Sequence, residues 1–312
     1  MPVGIDVLRL VRTPDSGGLR DASRPACAHV FNAVQRRLAA VMSSDKAMVA
    51  GIAILTITIL AGPARAQPQE PPAPKPATLP SVAPGTDHFD LSVGGGVVLS
   101  PRPYVGASEE AFPIPVVNVR YKWLFVEGIR GGAQFLRQGK LTGNVYLQAN
   151  FEGFNADDSP YLAGMENRSK SADAGVEVVY RARPVGFRVN VLTDVLGRNN
   201  GQEYSAHALT GAPLGSRGFL LASIGPRWIS ANRVDYNYGV RESEATPDRP
   251  AYTGTSSWNW DLTLGATVRI AGRWSVFVLF SREAFGKPIE QSPIVDRTAG
   301  YSLVSSFTYA LR

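Results

Sequence analysis

The 312-residue chain has one cysteine, Cys27, and only three histidines. One cysteine cannot form an intramolecular disulfide, and a thiolate-bound metal of the zinc-finger kind is excluded. Long hydrophobic runs are nearly absent as well. The one unbroken stretch of small and apolar residues is Ala47 to Leu60. No later segment is apolar for the ~18–20 residues that a helical membrane span needs, so helical crossing by the remainder is excluded. Charge of one sign is also lacking, despite a formal net charge of +6. Residues 1–66 carry 8 Lys/Arg against 4 Asp/Glu, leaving 32 − 8 = 24 against 26 − 4 = 22 for the rest. A nearly neutral body carries no basic patch that argues for nucleic acid.

What is present begins with the apolar run itself. Lys46 supplies a short basic lead, and Ala64-Arg65-Ala66 forms an A-x-A site. Residues 42–66 therefore read as a secretory signal peptide cut after Ala66, with Ala64 and Ala66 marking the cleavage point. Residues 1–41 show no periodicity, and Gln35-Arg36-Arg37-Leu38 matches a twin-arginine signal only in part. Translation is expected to start at Met42, with 1–41 a misassigned upstream segment. From Gln67 to Asp87 the chain has seven prolines in 21 residues. That composition favours an extended periplasmic linker that buries no core.

From residue 88 to 312 the pattern changes to period two. In "SSWNWDLTLGATVRI", Trp258, Trp260, Leu262, Leu264, Ala266, Val268 and Ile270 share one parity, while Asn259, Asp261, Thr263, Thr267 and Arg269 share the other. Alternation held this long is a strand signal. It recurs with Val117, Val119, Tyr121 and Trp123, with Leu141 to Phe151, with Val185 to Val195, and with Phe307, Tyr309 and Leu311. A soluble sandwich hides the apolar face inside, whereas an outer-membrane barrel turns it toward lipid. The segments approach the 9–11 residues of a tilted transmembrane strand, and the opposite face is polar with mixed charge. Trp123, Trp258, Trp260, Trp274 and Tyr309 fall at strand ends, where aromatic girdles belong. The expected fold is all-β: an antiparallel transmembrane outer-membrane barrel over 88–312. About eleven strands can be traced, and an even number within 10–12 is required. Connections alternate long and tight, which places 152–170, 230–256 and 283–298 outside the cell. The tight ones, Arg183-Pro184, 213–217 and Ala271-Gly272, then face the periplasm.

Chemistry is sparse, and no cofactor motif or metal spacing is present. Ser205 and His207 share a strand face with Glu203, the residue types of a serine hydrolase triad. The spacing alone is a weak signal, and a lumen-facing histidine among polar neighbours is the reading adopted. Asp157-Asp158 beside Ser159-Pro160 reads as loop chemistry. Gly94-Gly95-Gly96 reads as a close backbone approach or a bend, since it lacks the lysine of a phosphate loop. Arg188, Asp194, Asp261 and Arg269 are lumen candidates whose mixed signs suggest internal ion pairs.

Several ordered stretches together resemble a known family. They are "RPYVGASEEAFPIPVVNVRY" with Tyr104, Gly106, Pro113 and Pro115; "DDSPYLAGM" with Leu162 and Gly164; "DYNYGVRESEA" with Tyr238, Gly239 and Val240; and "QSPIV" with Ser292 and Pro293. The set is similar to the MltA-interacting protein family (MipA/OmpV). Met165, Tyr238 and the Tyr309-Ala310-Leu311-Arg312 ending depart from its usual residues. The resemblance implies a non-enzymatic outer-membrane barrel without a cofactor, embedded in outer-membrane lipid. It implies a scaffold joining a lytic transglycosylase to a penicillin-binding murein synthase. The alternatives are a small-solute channel, a stress- or antibiotic-related outer-membrane protein, or an adhesin.

Overall fold

A computed structural model describes residues 89–107 and 109–311. The upstream segment, the signal peptide with Ala64 and Ala66, and the proline-rich linker lie outside the described residues. Twelve strands follow one another: β1 Asp90–Pro101, β2 Glu109–Tyr121, β3 Leu124–Glu127, β4 Arg130–Gln138, β5 Leu141–Asn150 and β6 Ser171–Tyr180. Then come β7 Gly186–Asp194, β8 Gln202–Leu214, β9 Gly218–Ile229, β10 Ser257–Ala271, β11 Trp274–Ala284 and β12 Ala299–Ala310. Each pairs antiparallel with its chain neighbour, and β12 pairs with β1 to close the barrel. Closure satisfies the backbone hydrogen bonds that lipid cannot.

The count of about eleven is corrected to twelve. The hairpin β3–β4 was hidden because β3 has four residues and β4 begins Arg130-Gly131-Gly132. Neither gives the run of alternating apolar residues that reveals a strand.

Alternation sets the two faces of β10. Trp258, Trp260 and Leu264 are exposed on the outer wall, whereas Asn259 is fully buried inside. Gly94 shows why β1 is rich in glycine: a Cβ there would lie 1.9 Å from the Phe307 carbonyl oxygen of β12. The two backbones meet too closely for any side chain.

Long loops (102–107, 151–170, 195–201, 230–256 and 285–298) gather at one end, and tight turns and the last strand's end at the other. In outer-membrane barrels the short turns are periplasmic, so the loop end faces outward. Two helices lie in the loops, α1 Ala231–Tyr238 and α2 Lys287–Glu290. The main apolar core is in this loop layer rather than inside the barrel. Leu162, Val234, Ile289 and Ile294 are fully buried there, with Phe154 and Met165 beside them.

Candidate functional site

Four loops from distant parts of the chain build the cap. Tyr104 packs edge-on against Phe154, ring centroids 4.9 Å apart, and 6.1 Å from Tyr238. Tyr104 also bridges to Val295, and Val105 N–H donates to the Ile294 carbonyl at 3.0 Å. Ser292 Oγ donates to the Tyr238 carbonyl at 2.6 Å, and Ser159 Oγ to the Val105 carbonyl at 2.6 Å. Gly106 has φ +68°, and a Cβ there would press on Ser159 Oγ at 2.9 Å, so the turn needs glycine. Burial, followed by the Glu152 charge, drives the Tyr104 hydroxyl far above the usual phenol range. Burial does the same for Tyr238, so both rings stay neutral.

Ion pairs clasp the cap from within. Arg168 grips Glu244 with two bonds of 3.1 and 2.8 Å, and both side chains are nearly inaccessible. Arg249 donates to carbonyls of Tyr161, Ala163 and Glu244, binding the 151–170 loop to the 230–256 loop. Burial of Glu244 opposes its ionisation. The Arg168 bonds and the N–H groups of Glu166 and Arg241 outweigh that and hold the carboxyl below its usual range.

Beneath the cap, charged groups cross the lumen. Arg227 of β9 lies 2.8 Å from Asp261, 3.0 Å from Glu283 and 3.5 Å from Glu203. Arg233 on α1 reaches Glu152 at 3.1 Å and Asp173 at 3.2 Å. Its charge is reinforced above the ordinary arginine value: burial opposes, but Glu152, Glu203 and Asp173 prevail. Lower down, Glu127 joins Arg120 to Arg130, and Glu177 takes Arg130 at 3.7 Å, Arg188 at 3.6 Å and the Asn144 amide at 3.0 Å. Between the two levels lies a cavity of ≈ 590 Å³, lined by Arg130, Glu177, Arg188, Ser205, His207 and Asp261 among others.

The family-motif residues are placed in two groups. Tyr104, Gly106, Leu162, Gly164, Tyr238, Gly239, Val240, Ser292 and Pro293 lie in the cap loops and α1, where Leu162 and Val240 are core. Pro113 and Pro115 lie instead on β2, in the barrel wall. Trp258 and Trp260 stand at the loop-side end of β10. Trp123, Trp274 and Tyr309 stand at the turn side, where Trp274 stacks on Phe307 at 4.4 Å and meets Tyr309 at 4.8 Å.

Of the lumen candidates, Arg188 and Asp261 enter ion pairs, whereas Asp194, opposite the buried Asp173 at the loop end of β7, serves its own loop. It caps the 195–201 loop, accepting N–H groups of Leu196, Asn199 and Asn200 and the Ser171 hydroxyl. Arg269 sits next to the 272–273 turn. His207 Nε2 lies 3.1 Å from Asp261, a residue 54 positions away, and among the described residues Ser205 makes no bond to it. Asp158 pairs with Arg102 and accepts the Asn155 N–H at 2.6 Å, a loop-ordering role.

One feature was not legible from sequence. The turn end gathers Lys122, Arg137, Lys140, Arg181, Arg183, Arg217, Arg269 and Arg273 against Asp90 alone. Residues 89–311 hold 22 Lys/Arg and 20 Asp/Glu, so the remainder has 22 − 8 = 14 against 20 − 1 = 19. The nearly neutral body is thus polar end to end, with its cations gathered at the turn end. Folding sorts the charges by strand end, which a running sum along the chain cannot see.

The family model described as "MltA-interacting protein MipA" matches residues 93–311. The MltA-interacting protein of Escherichia coli K12 is 26% identical over 246 residues, covering 75% of this chain and 94% of that one. A putative outer membrane protein, YiaT, of Escherichia coli O157:H7 is 25% identical over 236 residues, covering 74% and 94%. OmpV of Vibrio cholerae is 23% identical over 165 residues, covering 53% and 64%. Among solved structures, an outer membrane channel of Pseudomonas putida F1 is similar at TM-score 0.35 and 10% identity, covering 74% of this chain and 100% of that one. The chain is a barrel of the outer membrane, and it belongs to the MltA-interacting protein (MipA) family.

Proposed function

We propose that this barrel is a non-enzymatic scaffold that holds murein enzymes, a lytic transglycosylase and a penicillin-binding synthase, against the inner face of the outer membrane. The observation that carries the reading is the basic rim at the turn end, eight cations against one carboxylate. Such a rim steers and orients a partner with an acidic surface, strengthening encounter more than final affinity. The name of the Escherichia coli relative, MltA-interacting protein, supports a partner of the transglycosylase class. The tryptophans at the two strand ends serve as interfacial girdles that fix the barrel's height, leaving the rim in the periplasm.

A second reading, a small-solute channel, is favoured by the 590 Å³ cavity. Against it, the ion pairs of Arg227, Glu177 and their partners cross the lumen, and Tyr104, Tyr238 and Phe285 of the cap line the cavity above them. The test reverses the rim: Lys140→Glu, Arg183→Glu and Arg217→Glu together should lower recovery of murein enzymes from crosslinked envelopes while the barrel still assembles. Unchanged recovery would place the docking surface elsewhere.

A further inference from the structure

The barrel wall is uneven. β2 pairs with β1 along its whole length, from Arg120↔Asp90 to Glu109↔Pro101. On its other side it meets β3 only from Asn118↔Glu127 to Tyr121↔Leu124. β5 likewise has β4 beside it only as far as Gln148↔Arg130. Above the short β3–β4 hairpin the wall therefore has a notch between β2 and β5. Its floor is the hairpin turn, where Gly128 N–H donates to the Val117 carbonyl and Ala149 N–H to the Ile129 carbonyl, each at 3.1 Å.

The sequence is adapted to this notch. Backbone N–H and C=O groups of alternate residues point to the same side of a strand. Since the Val117 carbonyl points toward β3, so do the backbone groups of residues 113 and 115, and both are proline. Proline has no N–H to leave unsatisfied in the membrane, and it discourages another strand from adding to the edge. A gap meant to be filled by a partner strand would not carry proline at both positions.

The notch stands in the outer half of the bilayer. A tilted strand climbs roughly 2.5 Å along the membrane normal per residue, so Pro113, eight residues above Tyr121 at the turn end, lies ~20 Å up a band ~25 Å tall. The notch also joins the lumen, because the cavity lining includes Phe112, Ile129, Ala149 and Phe151, residues of its rim. Across it the Phe112 and Phe151 rings face each other with centroids 5.9 Å apart. Lys170 Nζ lies 5.5 Å from the Phe151 ring and 5.9 Å from that of Phe112. Below the notch, Gly131, Ala133 and Ala174 floor an apolar groove on the outer wall, walled by Leu124, Val126 and Leu147.

We propose that the notch is a lateral port, gated by Phe112 and Phe151, for a single-chain zwitterionic lipid of the lysophospholipid class. The charged head enters the cavity, whose lining carries both arginines and carboxylates, while the acyl chain stays in the bilayer along the groove. The mixed lining suits a head that bears a phosphate and an ammonium. The open side of the wall gives a route from the outer leaflet. One chain fits through a gap two rings can close. This port is independent of the periplasmic rim, and neither proposal depends on the other.

The test uses the mature protein, residues 67–312, which hold no native cysteine, in liposomes, with Ser205→Cys as the lone thiol on the cavity's far wall. The probes are hexadecyl maleimide, whose tail holds it in the bilayer, and a sulfonated maleimide that stays in water. Hexadecyl maleimide should modify the Ser205→Cys thiol. Phe112→Ala, which removes one ring of the gate, should raise that rate by about tenfold, and Ala149→Trp should lower it by about tenfold. The sulfonated reagent should be indifferent to both changes. The proposal is overturned if hexadecyl maleimide labels a Leu264→Cys control but not Ser205→Cys, or if neither gate variant alters its rate. It is equally overturned if both reagents change in parallel, since that reports a loosened barrel rather than a port.

Discussion

Glu244 and Arg168 form a bidentate pair with almost no solvent contact, at the joint between two loops. The Glu244 carboxyl titrates below its usual value, so its contribution to the cap is fully present above the ordinary glutamate range near pH 4.5. That contribution is lost as pH falls through the lowered value. Protease cleavage in 239–253 should therefore stay suppressed at pH 5 and above and rise in stronger acid. Glu244→Gln should expose the loop already at neutral pH, because half of a buried pair is left uncompensated. The lumen offers a contrast between neighbours. Asp261 keeps its two bonds to Arg227 if His207 is removed, so His207→Ala should cost under about 1 kcal/mol. Arg227→Leu removes the one guanidinium that Asp261, Glu203 and Glu283 share, leaving Glu203 only Arg233 at 3.8 Å, and should cost about 3–5 kcal/mol. Reversible urea unfolding in lipid vesicles measures both. The Asp261 partnership was not legible in sequence because its partners stand 34 and 54 positions away, at matching heights on β9 and β8. The capping role of Asp194 was not legible because its partners are backbone N–H groups of the loop beyond the strand, which carry no side-chain signature.

At the scale of the element, parity was the most legible property of the chain. The outward face of β10 follows directly from the alternation of Trp258 to Ile270, since each residue flips the side chain across the wall. Placing Arg at Leu264, exposed on that outer face, should cost about 2–4 kcal/mol. Arg at Thr263, whose hydroxyl lies 3.5 Å from Ser281 Oγ on the lumen face, should be far milder. The same unfolding assay tells them apart, and equal damage would contradict the assignment of faces. The short hairpin β3–β4 escaped the same reasoning because its glycines and four-residue strand carry too few alternating positions. The Pro113 and Pro115 pair marked the place, but a proline's meaning depends on which neighbour is missing, and that is a property of the sheet.

For the whole molecule, the barrel and the family were legible because long alternating strands and four ordered motifs survive in one chain. The charge asymmetry was not, because it appears only when every second strand end is brought to the same rim. That asymmetry makes the account's central claim testable in a single measurement. Envelopes should be crosslinked and the barrel captured, comparing the native chain with the Lys140→Glu, Arg183→Glu and Arg217→Glu variant. Native capture should recover a lytic transglycosylase and a murein synthase. The variant, still folded in the outer membrane, should lose most of both, and raising ionic strength before crosslinking should weaken native recovery in the same direction. If neither chain recovers a murein enzyme, while the purified barrel conducts ions steadily across a planar bilayer, the scaffold account is contradicted and the cavity is part of a channel.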